Sequence, residues 1–302
     1  MIAGDHKLKD ELIIMETINS FNAINGKTTV LGILGDPVGH SLSPAMHNAA
    51  YRALGWNCVY IPCHVTADNL GAAVQGLKAL NFKGVNVTIP HKQAIFNVLD
   101  EVCGDARQSG SVNTVVHRNG KLYGHGTDGI GLVNSLKVDG GFQLNGKKVL
   151  LLGAGGTANA VVYPLIEAGI SELWLVNRTS ANAAALRERV KGNTGFKISV
   201  LTHDDLETFD REAPDLIINT TSVGLQGDES LIPKEFLQKK HFVYDVVYKR
   251  GGTRLIREAT ELGCGVLTGL SMLLFQGAES FRLWFETEPP VEVMRQALQA
   301  CT

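Results

Sequence analysis

No stretch of the sequence approaches the ~20 consecutive apolar residues of a membrane-spanning helix, so no transmembrane segment is expected. Cysteine is sparse. Cys58, Cys63, Cys103, Cys264 and Cys301 are odd in number, scattered and without a CxxC pair, which excludes a disulfide framework and points to reduced thiols in the cytoplasm. The nine histidines show no HExxH spacing, and no metal site is expected. Neither sign of charge dominates: a formal net charge of -2 gives no polybasic surface for nucleic acid or membrane. A secretory leader is not expected either, because Asp5, Asp10 and Glu11 precede only a short apolar run from Leu12 to Met15. Internal repeats and low-complexity segments are missing as well.

What is present is an ordinary globular composition, 44% hydrophobic and 19% charged, over 302 residues. At roughly 100–200 residues per domain, that length predicts two domains. Residues 1–27 read as an N-terminal extension with one weak amphipathic helix from Lys7 to Phe21. From Val30 strands and helices alternate. Strands are expected at Val30–Leu34, Cys58–Val65 and Gly84–Thr88, with helices at Ser43–Leu54, Asp68–Leu80 and Pro90–Val102. Ser43 is the expected N-cap of the first of these, with Pro44 at its first helical position. Asn119-Gly120, between Val112–His117 and Lys121–His125, predicts a two-residue hairpin. A helix at Asp128–Val138 then leads to the apolar strand Lys147–Leu152. Further strands at Leu173–Val176, Ser199–Leu201, Leu216–Asn219, Val243–Val246 and Val266–Leu267 complete a doubly wound parallel sheet of Rossmann type. The last two helices, Ser271–Phe285 and Val291–Ala300, have no strand between them and are expected to pack back onto another part of the molecule.

Two stretches carry chemistry. In Gly84–Lys92 the strand stops at Pro90, which cannot continue a ladder. Asn86 and Thr88 share one strand face. Lys92 follows in the first helical turn, where the helix dipole disfavours a cation. Two neutral hydrogen-bonding groups beside such an amine read as a small polar site; the alternative is a helix start with its lysine in water. The second stretch, Gly153-Ala154-Gly155-Gly156-Thr157-Ala158, follows the apolar strand and opens a helix. It fits the dinucleotide fingerprint, in which glycines let backbone approach a pyrophosphate at a helix N-terminus. Where an NAD-preferring site places a carboxylate, Asn177-Arg178-Thr179 offers a guanidinium between two neutral hydrogen-bonding groups, which favours the 2′-phosphate of NADP.

Together these segments resemble the shikimate dehydrogenase family, which includes quinate/shikimate dehydrogenases. The stretches that carry the likeness are Ser41-Leu42-Ser43-Pro44, Asn86 to Lys92, Ser111-Val112-Asn113-Thr114, Thr127 to Gly131, the Gly153 loop, Asn177-Arg178-Thr179, Asn219 to Gly224 and Met272 to Gln276, in the family's order. The resemblance implies reversible NADP-dependent reduction of 3-dehydroshikimate to shikimate. It places the family's Lys–Asp pair on Lys92 and Asp128 and its carboxylate-binding serines on Ser41 and Ser43, near Tyr248. Its hydroxyl-binding groups fall on Asn86, Thr88, Asn113, Asp128 and Gln276, with further cofactor contacts from Thr221, Ser222 and Gly269. It also implies a discontinuous α/β substrate domain, residues 28–128 and 266–302, around an NADP-binding domain at 129–265, as a monomer or homodimer with small-molecule partners only. Elementary chemistry agrees: ketone reduction needs a proton for the developing alkoxide, and Lys92 can act as that general acid, oriented by Asp128. For Asp128 a helix N-cap is the structural alternative.

The sequence departs from the family pattern at Ser111 (usually Ala), Gly126 (usually Asn), Lys249-Arg250 (usually Asn-Pro) and Asn182, where a basic residue is usual. The last change removes one phosphate partner and makes NAD an alternative cofactor. A quinate/shikimate dehydrogenase is the near alternative in function. A non-catalytic metabolite sensor is the distant one, opposed by the presence of Lys92, Asp128 and the Gly153 loop.

Overall fold

The computed structural model describes residues 24–302, and the helix expected at Lys7–Phe21 lies outside them. The alternation of strands and helices resolves into two six-stranded sheets. In the first, β1 (Thr29–Gly35), β2 (Cys58–His64) and β3 (Gly84–Val87) run parallel, with β1 in the middle. β4 (Glu101–Val102), β5 (Thr114–Arg118) and β6 (Lys121–His125) complete it in the order β2-β1-β3-β5-β6-β4. The β5–β6 hairpin is antiparallel, and Asn119 and Gly120 both take positive φ, 52° and 73°, as a mirror-image two-residue turn requires. The second sheet holds β7 (Lys148–Leu152), β8 (Glu172–Val176), β9 (Ile198–Leu201), β10 (Leu216–Asn219), β11 (Phe242–Asp245) and β12 (Gly265–Thr268). All its pairs are parallel, in the order β12-β11-β10-β7-β8-β9. Strand order therefore reverses between β7 and β10, where doubly wound sheets open a crevice.

The helices are α1 (Ser43–Ala53), α2 (Leu70–Ala79), α3 (His91–Ala94), α4 (Gly104–Ser109), α5 (Asp128–Val138) and α6 (Gly156–Glu167). They continue with α7 (Ser180–Thr194), α8 (Asp205–Thr208), α9 (Arg254–Glu261), α10 (Gly269–Phe285) and α11 (Val291–Gln299). Each sheet has an apolar core on both faces. The last two helices do pack back: Leu274, Phe281, Trp284, Met294 and Leu298 join Leu31, Met46 and Tyr51 in a core of the first sheet.

Three expectations are corrected. The single helix expected over Pro90–Val102 is instead the one-turn α3, a 3₁₀ turn at Ile95–Asn97 and the short strand β4. The Lys92 carbonyl, which a longer helix would use internally, accepts the N–H of Val112 at 2.8 Å, and Pro90 precedes the helix instead of starting it. Ser43 does not cap α1: Leu42 occupies the cap position, Ser43 is in the first turn, and its N–H is accepted by Ser41 Oγ at 3.3 Å. The boundary expected at 266 falls inside β12, and the chain leaves the second sheet only at Thr268.

Candidate active site

The loops after β1 and β3 leave the same sheet side by side, because the two strands pair in parallel. The first carries Ser41 and leads into Ser43 at the start of α1, and the second carries Thr88 and leads into Lys92 on α3. Asn113 enters β5, Asp128 is the first residue of α5, Gln276 lies on α10, and Tyr248 follows β11. These eight, together with Asn86 on β3, line one cavity of about 260 Å³. At its floor Lys92 Nζ meets Asp128 Oδ2 at 2.5 Å, with side chains 22% and 9% exposed. Thr127, not Asp128, holds the cap position of α5, and Asp128 stands in its first turn, where a carboxylate is favoured by the helix dipole. Its other oxygen accepts Asn113 Nδ2 at 3.1 Å.

The amide orientations follow from partners that only donate or only accept. The N–H of Thr127 donates to Asn113 Oδ1 at 2.6 Å, so the Asn113 amino group faces Thr127 Oγ1 (2.8 Å), Asp128 Oδ1 (3.1 Å) and Gln276 Oε1 (3.2 Å). Gln276 in turn donates one Nε2 proton to the Leu273 carbonyl at 2.8 Å and keeps one for the cavity. Asn86 donates to the Asn113 carbonyl at 3.1 Å, so its oxygen accepts the Tyr60 hydroxyl at 2.7 Å. Both Asn86 protons point inward, which leaves a lone pair as its remaining capacity toward a ligand. Burial pushes the Tyr248 phenol up, which keeps it a neutral donor.

A larger cleft of about 790 Å³ opens beside this cavity at the β7/β10 reversal. Its walls include Gly153, Ala154, Gly155, Gly156, Thr157, Asn177, Arg178, Thr179, Thr221 and Ser222. Gly153 has φ +109°, and a Cβ there would sit 2.7 Å from Thr220 Oγ1. At Gly155 and Gly156 a Cβ would meet nothing within 4 Å, so the backbone at the start of α6 faces open space. This arrangement fits a dinucleotide, with the pyrophosphate at the α6 N-terminus and Arg178 at the cleft wall. Asn177 ties the loops together: its oxygen accepts the Ala154 N–H at 3.2 Å and its amino group donates to the Thr179 carbonyl at 2.8 Å. Cavity and cleft share Thr88, Ile89, Lys92 and Thr157, which places the Lys92 amine at their junction.

Two expected cofactor residues stand apart from the cleft. Ala158 is fully buried in the core of the second sheet, where its small side chain lets α6 pack closely. Gly269 lines the smaller cavity; a Cβ there would collide with the Val246 carbonyl. Sequence reasoning missed His40 and Met272 in the cavity and Asn159 and Arg189 in the cleft, where Arg189 donates to Asn159. Only the seven-residue spacing of Arg189 from Asn182 on α7 marks it, since both then share a helix face. Of the departures from the family pattern, Asn182 lines the cleft, whereas Ser111, Gly126, Lys249 and Arg250 line neither space. The Ser111 hydroxyl is buried without a hydrogen-bond partner among the described residues, and nothing in the structure explains why it replaces alanine.

Among the described residues no cluster of His, Cys, Asp or Glu is arranged to hold a metal ion, and no helix is long and apolar enough to cross a membrane. Comparison with known proteins returns three family matches in chain order. Residues 33–115 match the shikimate dehydrogenase substrate binding domain, 136–239 the shikimate / quinate 5-dehydrogenase family, and 269–299 the shikimate 5'-dehydrogenase C-terminal domain. The chain is 42% identical over 279 residues to the shikimate dehydrogenase (NADP(+)) of Methanothermobacter thermautotrophicus, covering 91% of this chain and 98% of that one. A crystal structure of a shikimate dehydrogenase in complex with NADP+ superposes with a TM-score of 0.86 at 37% identity, covering 92% of this chain and 96% of that one. The shikimate 5-dehydrogenase of Listeria monocytogenes, in complex with shikimate and NAD, superposes equally well, with a TM-score of 0.86 at 38% identity and coverage of 91% and 98%. With the ordered motifs, two α/β sheets and a Lys–Asp pair between two cavities, the chain belongs to the shikimate dehydrogenase family.

Proposed function

We propose that this protein catalyses the reversible NADP-dependent reduction of 3-dehydroshikimate to shikimate, in the biosynthesis of aromatic amino acids. The observation that carries the reading is the Lys92–Asp128 pair at the junction of a small polar cavity and a dinucleotide-sized cleft. Gly153–Thr157 and Arg178 would hold the cofactor, whose reduced form, NADPH, would supply the hydride and leave as NADP+. Lys92 gives the proton that converts the reduced carbonyl oxygen to a hydroxyl, and takes it back in the reverse direction. Asp128 holds the amine and accepts a hydrogen bond from a substrate hydroxyl. Ser41 and Ser43 donate to the substrate carboxylate beside the Tyr248 phenol, while Thr88, Gln276 and the oxygen lone pairs of Asn86 and Asn113 meet ring hydroxyls. Exclusion of water falls to the apolar cavity walls, including Ile33, Val38 and Met272.

The division of labour we propose assigns residues 28–128, with the C-terminal helices, to the substrate and the segment from 129 to the end of β12 to NADP. The shared core of α10 and α11 with the first sheet supports it. The five unpaired cysteines support a cytoplasmic location. One observation favours a second reading, relaxed use of NAD: position 182, on the cleft wall, is the neutral Asn182, which leaves Arg178 with less help on a 2′-phosphate.

Initial rates of the purified protein with shikimate or quinate, each with NADP or NAD, test both. Shikimate with NADP should be fastest. Equal rates with NAD would move the protein to relaxed cofactor use, faster quinate turnover would replace the substrate, and absence of turnover with all four pairs would sink the enzymatic reading.

A further inference from the structure

Behind Asn113 and Asn86 lies a group of three hydroxyls that the reaction as described does not use. Thr114, Thr127 and Ser280 are 0%, 1% and 0% exposed, and come from β5, the residue before α5, and α10. Their oxygens lie 3.1 Å (Thr114–Thr127), 2.7 Å (Thr114–Ser280) and 3.3 Å (Thr127–Ser280) apart. Ser280 also reaches the Gln276 carbonyl at 2.9 Å. The two amides donate into the group: Asn113 Nδ2 to Thr127 Oγ1 at 2.8 Å, and Asn86 Nδ2 to Thr114 Oγ1 at 3.1 Å and Ser280 Oγ at 2.9 Å.

Each hydroxyl has one proton. Because the two amide nitrogens can only donate here, the three hydroxyl protons are shared among the three contacts within the group and the Gln276 carbonyl, and none is directed at an amide. The group therefore always turns lone pairs toward Asn86 and Asn113. Losing Thr127 Oγ1 takes away the nearest acceptor of the Asn113 amino group, and losing Ser280 Oγ takes away that of Asn86, so each amide is free to shift toward its two remaining, longer partners. The Asn113 amino group also holds Asp128 Oδ1, and Asp128 holds Lys92.

We propose that Thr114, Thr127 and Ser280 form a buried triad of positioning residues that fixes both asparagine amides and, through Asn113, the Lys92–Asp128 pair. The inference rests on the proposed reaction. Ser280 gives it a structural consequence, since it ties the site to α10, the helix that also carries Gln276.

The experiment compares Ser280→Ala, Thr127→Val and Thr127→Ser with the wild-type protein in shikimate oxidation by NADP. Binding of NADPH is followed by fluorescence, and folding by thermal melts. Wild-type turnover must be present first; its absence would overturn the proposed reaction and not the triad specifically. Loss of a hydroxyl in Ser280→Ala or Thr127→Val should lower kcat about ten-fold, with KM for shikimate changed less and the NADPH Kd unchanged. Thr127→Ser, which keeps the hydroxyl, should recover most of kcat. Wild-type kcat in folded Ser280→Ala and Thr127→Val would overturn the proposal, as would equal loss in Thr127→Ser. If the hydroxyl-free variants fail to fold while Thr127→Ser folds and works normally, the triad serves stability and the positioning role is withdrawn.

Discussion

Lys92 reaches a mostly buried position because Asp128 meets it there, and among the described residues lining the cavity it is the one lysine. Lys92→Ala is therefore expected to lower kcat by about 10²–10⁴-fold while leaving the NADPH Kd unchanged in a fluorescence titration; normal turnover would remove Lys92 from the reaction. His47 shows what happens to a basic group with no such partner. It is 0% exposed, stacks on Tyr60 at 4.6 Å, and neither ring nitrogen has a hydrogen-bond partner among the described residues. Burial pulls its pKa from 6.5 down to about 3. The unfolded chain takes up this proton below 6.5, whereas the folded chain resists until about 3. Stability from this group is thus complete above that unfolded value and is lost as pH falls through the interval, by at most about 1.4 kcal/mol per pH unit. Urea unfolding at pH 7.5 and pH 5 should show His47→Phe losing about 2 kcal/mol less than the wild-type protein between the two conditions. A packing change cancels in that difference, so equal losses would refute the argument.

At the scale of elements, what the sequence made legible was whatever a local pattern decides. The run Val149–Leu152 reads as a strand buried on both faces and is one, because parallel strands have no solvent side to encode. Asn119-Gly120 reads as a turn because few other pairs accept two positive φ values. Candidate site residues were legible in two ways: Thr88 and Gly153 stand where strands end, in short motifs with a chemical rationale, whereas Ser41, Asn113 and Asp128 came from the family resemblance that those motifs carry. The segment after Pro90 was misread because its helix is ended by a hydrogen bond from Val112, a contact distant in sequence. β4 is only two residues long and exists through its pairing with β6. The hydroxyl triad left no trace, since a serine on the apolar face of α10 looks like a packing residue until three elements are brought together. Its one hint, the i, i+4 spacing from Gln276, is too common to single it out.

For the whole molecule, the question is what makes two sheets with separate cores behave as one body around a shared cleft. α5 carries the chain to the second sheet and α10 brings it back, and the two helices pack along each other. A Cβ at Gly131 would lie 2.8 Å from Gln276 N, so this glycine permits the approach. α10 belongs to both cores: Met272 packs with the second sheet, and Leu274 and Phe281 pack with the first. Beside this crossing, Arg295 on α11 binds Asp139 through two bonds of 2.7 and 3.0 Å, and Ser271 Oγ donates to the same carboxylate at 2.5 Å. One carboxylate at the end of α5 thus fastens the start of α10 and the last helix, in partly buried geometry where a two-point Arg–carboxylate pair is strongest. If this brace joins the units, Asp139→Ala and Arg295→Ala should each lower the urea midpoint, and the double variant should fall short of their sum by about 1–2 kcal/mol. Additive losses would mean that the brace carries no coupling of its own and that the shared apolar helix α10 joins the two sheets unaided.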